Sequence, residues 1–313
     1  MHEYKDEIRV LKEQHADEIA DLISSNNSLI EEKDAEISEL ISNAESAELR
    51  HIDELTEITE QLEYAEEKAH NWDLIDTALS QKTVVNFQLW NGGTAPFELP
   101  MLNLPLVTSF SGTYISTLIT KIGMNIPSAT NISEAFNNKS RLKEVILKNT
   151  DRLVNISNTF SYSASLQYVD LGTIRSCTDM SYAFRYCTSL KKIKVRNADN
   201  IKSLTYTFSQ CQSLEEIDGT LNPSQCTSFN DTFGSCGNLR TIRFAENSIR
   251  ANIDFGACPN LSKESVYSII RALSAENPAI LRLSASVFSN TLTAEEADEI
   301  RSAAAEKNWT INS

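Results

Sequence analysis

The sequence predicts an α+β repeat architecture: a long N-terminal α-helical coiled coil, then a short solenoid of parallel strands, then an α/β C-terminal cap. Three observations carry this expectation. Isoleucine recurs every eleven residues at Ile8, Ile19, Ile30, Ile41 and Ile52. Phenylalanine recurs at Phe136, Phe160, Phe184, Phe208 and Phe233, in steps of 24, 24, 24 and 25. Beyond residue 261 that repeat stops and helix-capping signals begin. A fixed period of this length is the signature of stacked supersecondary units. The expected divisions are a stalk over 1–72, a junction with a degenerate repeat over 73–128, the repeats over 129–261 and the cap over 262–313.

The stalk is read from its apolar stripe. A second column follows the isoleucines at Leu11, Leu22 and Leu55, and neither Pro nor Gly interrupts the first 91 residues. Eleven residues in three turns is about 3.67 per turn, so the stripe drifts little and favours a straight or weakly right-handed coiled coil. A stripe this narrow needs partner helices, and further copies of the same chain are the expected ones. Ile8, Leu11, Ile19, Leu22, Ile30, Ile41, Ile52 and Leu55 are therefore the expected oligomerisation residues, with a trimer favoured. The formal charge of −15 sits here, since residues 1–70 carry 21 acidic and 6 basic side chains. That balance argues against nucleic acid or an anionic membrane as partner. No apolar run is long enough to span a bilayer. The charged start, Met1 to Glu7, does not read as a secretory signal.

In the junction, Val84–Trp90 alternates like a strand and Asn91-Gly92-Gly93 turns it. Trp72 and Trp90 are expected to cap the first layer of the repeat core. Pro96, Pro100 and Pro105 mark the passage into the globular part. Ile119, Ile122 and Met124 are spaced like Leu142, Val145 and Leu147, which announces a degenerate first repeat.

In the repeats, leucine follows each Phe six residues later, at Leu142, Leu166, Leu190, Leu214 and Leu239. Three beyond comes Val145, Val169, Ile193, Ile217 and Ile242. A shortened last unit has Phe255, Cys258 and Leu261. Each unit is expected to supply one short strand and one compact turn or short helix, burying its apolar columns against the copies above and below. The pattern Met-Ser-Tyr-x-Phe-x-x-Cys-x-Ser-Leu-x-x-Ile at Met180–Ile193 resembles the BspA-type leucine-rich repeat. The resemblance covers about 129–261, although Lys139 and Ser163 replace the cysteine in the early units. It implies a leucine-rich-repeat solenoid of the kind found in bacterial surface proteins and in tail or fibre proteins of phages and prophages of gut bacteria.

Column by column, most of the polar and reactive residues have structural explanations. Cys187, Cys211, Cys236 and Cys258 share one column and Cys177 and Cys226 another. A buried thiol ladder is expected, ahead of rung-to-rung disulfides or a metal site. Asp170, Lys194, Asp218 and Arg243, with Glu144, Tyr168, Lys192, Glu216 and Thr241 beside them, read as a cross-strand charge ladder. Two columns flank the Phe. One holds Asn138, Tyr162, Tyr186, Gln210 and Ser235, and the other holds Glu134, Asn158, Tyr182, Tyr206 and Asp231. Aromatic planes among amides suit a ligand such as a sugar, or a subunit contact. Asn138, Tyr162, Tyr182, Tyr186, Tyr206 and Gln210 are accordingly the expected receptor-binding residues. The competing reading is half-buried repeat structure.

In the cap, Ser262 is expected to open a helix to about Leu273, Ala279–Ser284 a strand, Thr293 a capping-box helix to about Lys307, and Trp309-Thr310-Ile311 a last strand. All four histidines, His2, His15, His51 and His70, lie in the stalk. No phosphate loop, dinucleotide fingerprint or zinc-protease helix occurs. The expectation is a non-enzyme without cofactor, metal or catalytic residues. By the family resemblance it is a virion fibre that binds other virion proteins and a host-surface glycan or protein. A bacterial cell-surface adhesion protein is the alternative, and a glycan-active enzyme the remotest.

Overall fold

The computed structural model describes residues 96–110 and 117–313. The stalk, with its expected oligomerisation residues, the strand at 84–90, Trp72 and Trp90 lie outside the described residues. Seven strands form one parallel sheet in strict chain order: β1 (Phe97–Asn103), β2 (Ile119–Asn125), β3 (Glu144–Lys148), β4 (Tyr168–Thr173), β5 (Lys192–Arg196), β6 (Glu216–Leu221) and β7 (Thr241–Phe244). Parallel pairing of consecutive strands requires the chain to coil once per strand, which makes this a parallel-strand solenoid. Each strand alternates buried and half-exposed residues, so one face enters the core. Ile122, Val145, Val169, Ile193 and Ile217 stand opposite one another in register, as their spacing predicts.

The second side of each coil is a ladder of tight turns with no α-helix. Around Phe184, the amides of Met180, Tyr182, Phe184 and Tyr186 donate to the carbonyls of Ser203, Thr205, Thr207 and Ser209 on the next rung, at 2.9–3.1 Å. The intervening amides of Ala183, Arg185 and Cys187 close turns onto Met180, Tyr182 and Phe184. Every amide from Met180 to Cys187 except that of Ser181 is thus used by a backbone carbonyl. The amide of Ser181 goes to the Asp179 side chain at 2.9 Å. Inside, Phe136, Phe160, Phe184, Phe208 and Phe233 stack with centroids 5.1–5.7 Å apart.

The cysteines behave as a thiol ladder and are free and buried. Cys187, Cys211 and Cys236 donate to the carbonyls of Phe160, Phe184 and Phe208, one rung back, at 3.0–3.1 Å. Ser163 makes the same bond to Phe136, at 2.6 Å. The substitution of serine in this column therefore preserves the interaction.

Three features depart from the sequence reading. First, β1 runs through Pro100. Its register shifts around Glu98, and among the described residues it is the outermost strand, a place where a residue without an amide hydrogen is tolerated. Second, the charge ladder is interrupted. Asp170, Lys194 and Asp218 do stand opposite one another, but Arg243 faces Thr220. Gly219, at φ +145°, bulges β6 so tightly that a Cβ there would lie 1.9 Å from the Val195 carbonyl oxygen. The ion pairs that form are Lys121–Glu144, Lys192–Glu216, Lys192–Asp218 and Arg196–Asp170, not the Asp170–Lys194–Asp218 column. Third, the last unit leaves the sheet. Phe255 stacks on Phe233 at 4.5 Å, yet its strand β8 (Ile253–Phe255) joins β9 (Ile280–Leu283) and β10 (Thr310–Asn312) in a second parallel sheet.

Two helices complete the cap. α1 (Lys263–Ala272) is N-capped by Ser262, and α2 (Ala294–Glu306) starts in a capping box of Thr293 and Glu296. A π-helical turn spans Val287–Thr291. α1 takes the place that an eighth strand of the solenoid sheet would occupy. The Oγ atoms of Ser265 and Ser268 accept from the amides of Ile242 and Phe244 at 3.0 and 3.1 Å, which satisfies the open edge of β7. Lys307 Nζ donates to the carbonyls of Ile270, Arg271 and Leu273, closing the C-terminus of α1.

Candidate functional site

The two columns that flank the phenylalanine stack have an unusual backbone. Glu134, Asn138, Asn158, Tyr162, Tyr182, Tyr186, Tyr206, Gln210, Asp231 and Ser235 all have φ between +48° and +66°. Each rung thus places two residues in the left-handed region, two before and two after its Phe. The turn ladder imposes this conformation, so it is a property of the fold and not of one site. It nevertheless weighs on residue choice. An L-residue with a Cβ loses about 1–2 kcal/mol there, and Asn or Asp tolerate it best. The columns hold Asn138, Asn158 and Asp231 on some rungs, but tyrosine on four of the central positions.

Those four tyrosines come together. Tyr162 and Tyr186 stack at 4.9 Å with planes 13° apart, and Tyr182 and Tyr206 stack at 5.1 Å and 13°. Between the two stacks lies the guanidinium of Arg185. Its Cζ is 5.0, 5.4, 5.6 and 5.9 Å from the ring centroids of Tyr186, Tyr206, Tyr182 and Tyr162. Its Nη1 donates to Tyr162 Oη at 3.3 Å. Its Nε is buried with no hydrogen-bond partner, and among the described residues no carboxylate forms an ion pair with it. Tyr162 is 47% exposed, and the other three rings are half-buried.

The neighbouring side chains are polar and mostly uncharged. The column of Arg185 otherwise holds Asn137, Ser161, Ser209 and Gly234. Of the remaining expected site residues, Asn138 is exposed one rung before Tyr162. Gln210, one rung after Tyr186, donates from Nε2 to Ser235 Oγ at 2.9 Å and lies at the end of the stack. The structure therefore joins Tyr162, Tyr182, Tyr186 and Tyr206 into one patch and leaves Asn138 and Gln210 at its margins. Arg185 was not anticipated. The available signal was that it is the one charged residue in its column.

The patch consists of four phenol rings and one guanidinium. Its rings offer flat faces, and its cation offers donors that no carboxylate occupies. Among the described residues no group of three or more His, Cys, Asp or Glu side chains is placed to hold a metal ion. None of the helices among them is long and apolar enough to cross a membrane.

Residues 111–218 match the family model of the BspA type leucine rich repeat region, in six copies. That span includes Arg185 and all four tyrosines of the patch. Comparison with curated proteins gives no match.

Proposed function

We propose that this chain is a non-enzymatic attachment protein, a virion fibre of the tail, baseplate or head. In this reading its repeat body holds the tyrosine–arginine patch against a host-surface ligand. The observation that carries it is the patch itself: four tyrosines gathered round one guanidinium, on backbone where tyrosine is a costly choice. The repeat match supports a binding or surface-adhesion role, because such repeats build rigid faces and the match covers the whole patch. The apolar stripe from Ile8 to Leu55 supports presentation in several copies, which turns weak single contacts into strong attachment. The resemblance to fibre proteins of gut phages points to the virion.

A second reading, a bacterial cell-surface adhesion protein, is favoured by the same repeat match, since repeats of this type occur in surface proteins. One experiment separates the two. The native assembly that contains this chain is purified, its mass is measured and its other proteins are identified. Capsid or tail proteins are expected beside a trimer of the chain. Recovery with the bacterial envelope alone would overturn the virion reading and leave the adhesion reading standing.

A further inference from the structure

We infer that the ligand of the patch is an acidic carbohydrate, whose sugar rings lie on the tyrosine faces and whose carboxylate meets Arg185. This inference rests on the reading of the turn face as the binding surface and names the chemistry of its ligand. Three observations select that class. The first is the pair of ring stacks, Tyr162–Tyr186 and Tyr182–Tyr206, which line three rungs with aromatic edges and leave the 47% exposed Tyr162 its outer face, since the inner faces meet each other. The C–H face of a pyranose packs on such an outer face. The second is the single positive charge. Arg185 is ringed by four aromatic faces and forms no ion pair with a described residue, so its charge stays available to an anion.

The third observation is the surrounding field. On its own rungs the same face presents the partly exposed Ser157, Asn158, Ser181 and Thr205, which are hydroxyls and an amide, and the exposed carboxylates of Glu134 and Asp231 stand one rung beyond it on either side. A ligand matched to one cation among many neutral donors and acceptors carries few charges and many hydroxyls. A nucleic acid strand or a strongly acidic peptide would present a charge at each step, and it would find one partner here. A long polyanion would also run past the exposed carboxylates of Glu134 and Asp231 on the flanking rungs.

The test uses the full-length chain on an array of immobilised uronic-acid, sialic-acid and neutral oligosaccharides, with polyglutamate and a single-stranded oligonucleotide as further probes. Binding to intact host cells is measured in parallel. At least one acidic oligosaccharide is expected to bind about tenfold or more tightly than its neutral counterpart, the difference a charge-assisted hydrogen bond confers. Arg185→Gln should abolish that preference, and Arg185→Lys should retain part of it. Tyr162→Ala, at the most exposed ring, should weaken acidic and neutral sugars alike. Circular dichroism and thermal unfolding confirm that each variant is folded.

The inference is overturned if no acidic glycan binds, if Arg185→Gln leaves the preference intact, or if polyglutamate or the oligonucleotide binds more tightly. Cell binding that depends on Arg185 without any acidic glycan on the array would overturn the ligand class and spare the binding face. Cell binding indifferent to Arg185 and Tyr162 alike would remove the binding face as well.

Discussion

At the scale of single residues, the phenylalanines and the tyrosines play opposite parts although they are only two positions apart. Phe184 is fully buried in a stack, and truncating such a ring to alanine costs about 3–5 kcal/mol. Tyr182 stands in the left-handed region, which costs an L-residue about 1–2 kcal/mol and asparagine part of that. Removing its ring gives up a stack on Tyr206 of about 0.5–1.5 kcal/mol. These effects oppose each other, so Tyr182→Asn should change stability by no more than about 1 kcal/mol, measured by urea unfolding. A loss above about 3 kcal/mol would mean that the ring is part of the core. The columns that hold these tyrosines were legible in the sequence. The sign of φ was not, because tyrosine does not announce a left-handed backbone as a recurring glycine would. Arg185 was missed for a related reason. Alignment of repeats detects what recurs, and recurrence marks the core, whereas a site made once per molecule is a break in the repeat.

At the scale of elements, the end of the solenoid is decided by hydroxyls. A strand edge without a neighbour leaves amides unpaired, and a helix has no backbone groups free to pair them. α1 solves this with Ser265 and Ser268, three apart on one face of the helix, which meet the alternate amides of Ile242 and Phe244 on β7. Both serines are buried, so Ser265→Ala or Ser268→Ala should each destabilise the protein by about 1–3 kcal/mol, the penalty of a buried unsatisfied donor. Chemical denaturation of the two variants and of the double variant checks this. Unchanged midpoints would mean that water replaces the hydroxyls. The helix itself was readable from Ser262 and its apolar spacing. That it would replace a strand was not, because the pairing joins residues 23 and 24 positions apart. β1 escaped the reading for a local reason. Pro100 normally argues against a strand, and an outermost strand with a shifted register admits it.

At the scale of the whole molecule, the thiol ladder couples stability to pH. Burial pushes the thiols of Cys177, Cys226 and Cys236 up to about 12 from the ordinary 9.0. It also raises those of Cys187, Cys211 and Cys258. A thiol whose folded pKa lies above its unfolded one stabilises the fold fully below the unfolded value, and that contribution is lost as pH rises through the folded one. Stability should therefore hold to about pH 8 and fall above 9, by about 1.4 kcal/mol per pH unit for each thiol. Urea midpoints at pH 7, 9 and 10 measure this, and Cys187→Ser, which keeps the ladder bond seen at Ser163, should show a shallower fall. A midpoint at pH 10 equal to that at pH 7 would refute it. The same burial should leave all six cysteines unreactive to an alkylating reagent until the chain unfolds.

The apolar columns at a period of 24 dictated a stacked coil, because a side chain such as Phe184, Leu190 or Ile193 leaves water only by meeting its copies on the rungs above and below. Local signals were equally sufficient for the two cap helices, whose first turns are closed by Ser262 and Thr293. The encounter of Arg185 with four tyrosines from three rungs, the departure of β8 into a second sheet and the serine-capped edge of β7 were decided by tertiary structure alone. Each depends on how the side chains of one rung lie against those of the next and on the handedness of the backbone between them; spacing predicts the register of the core columns but carries neither of these.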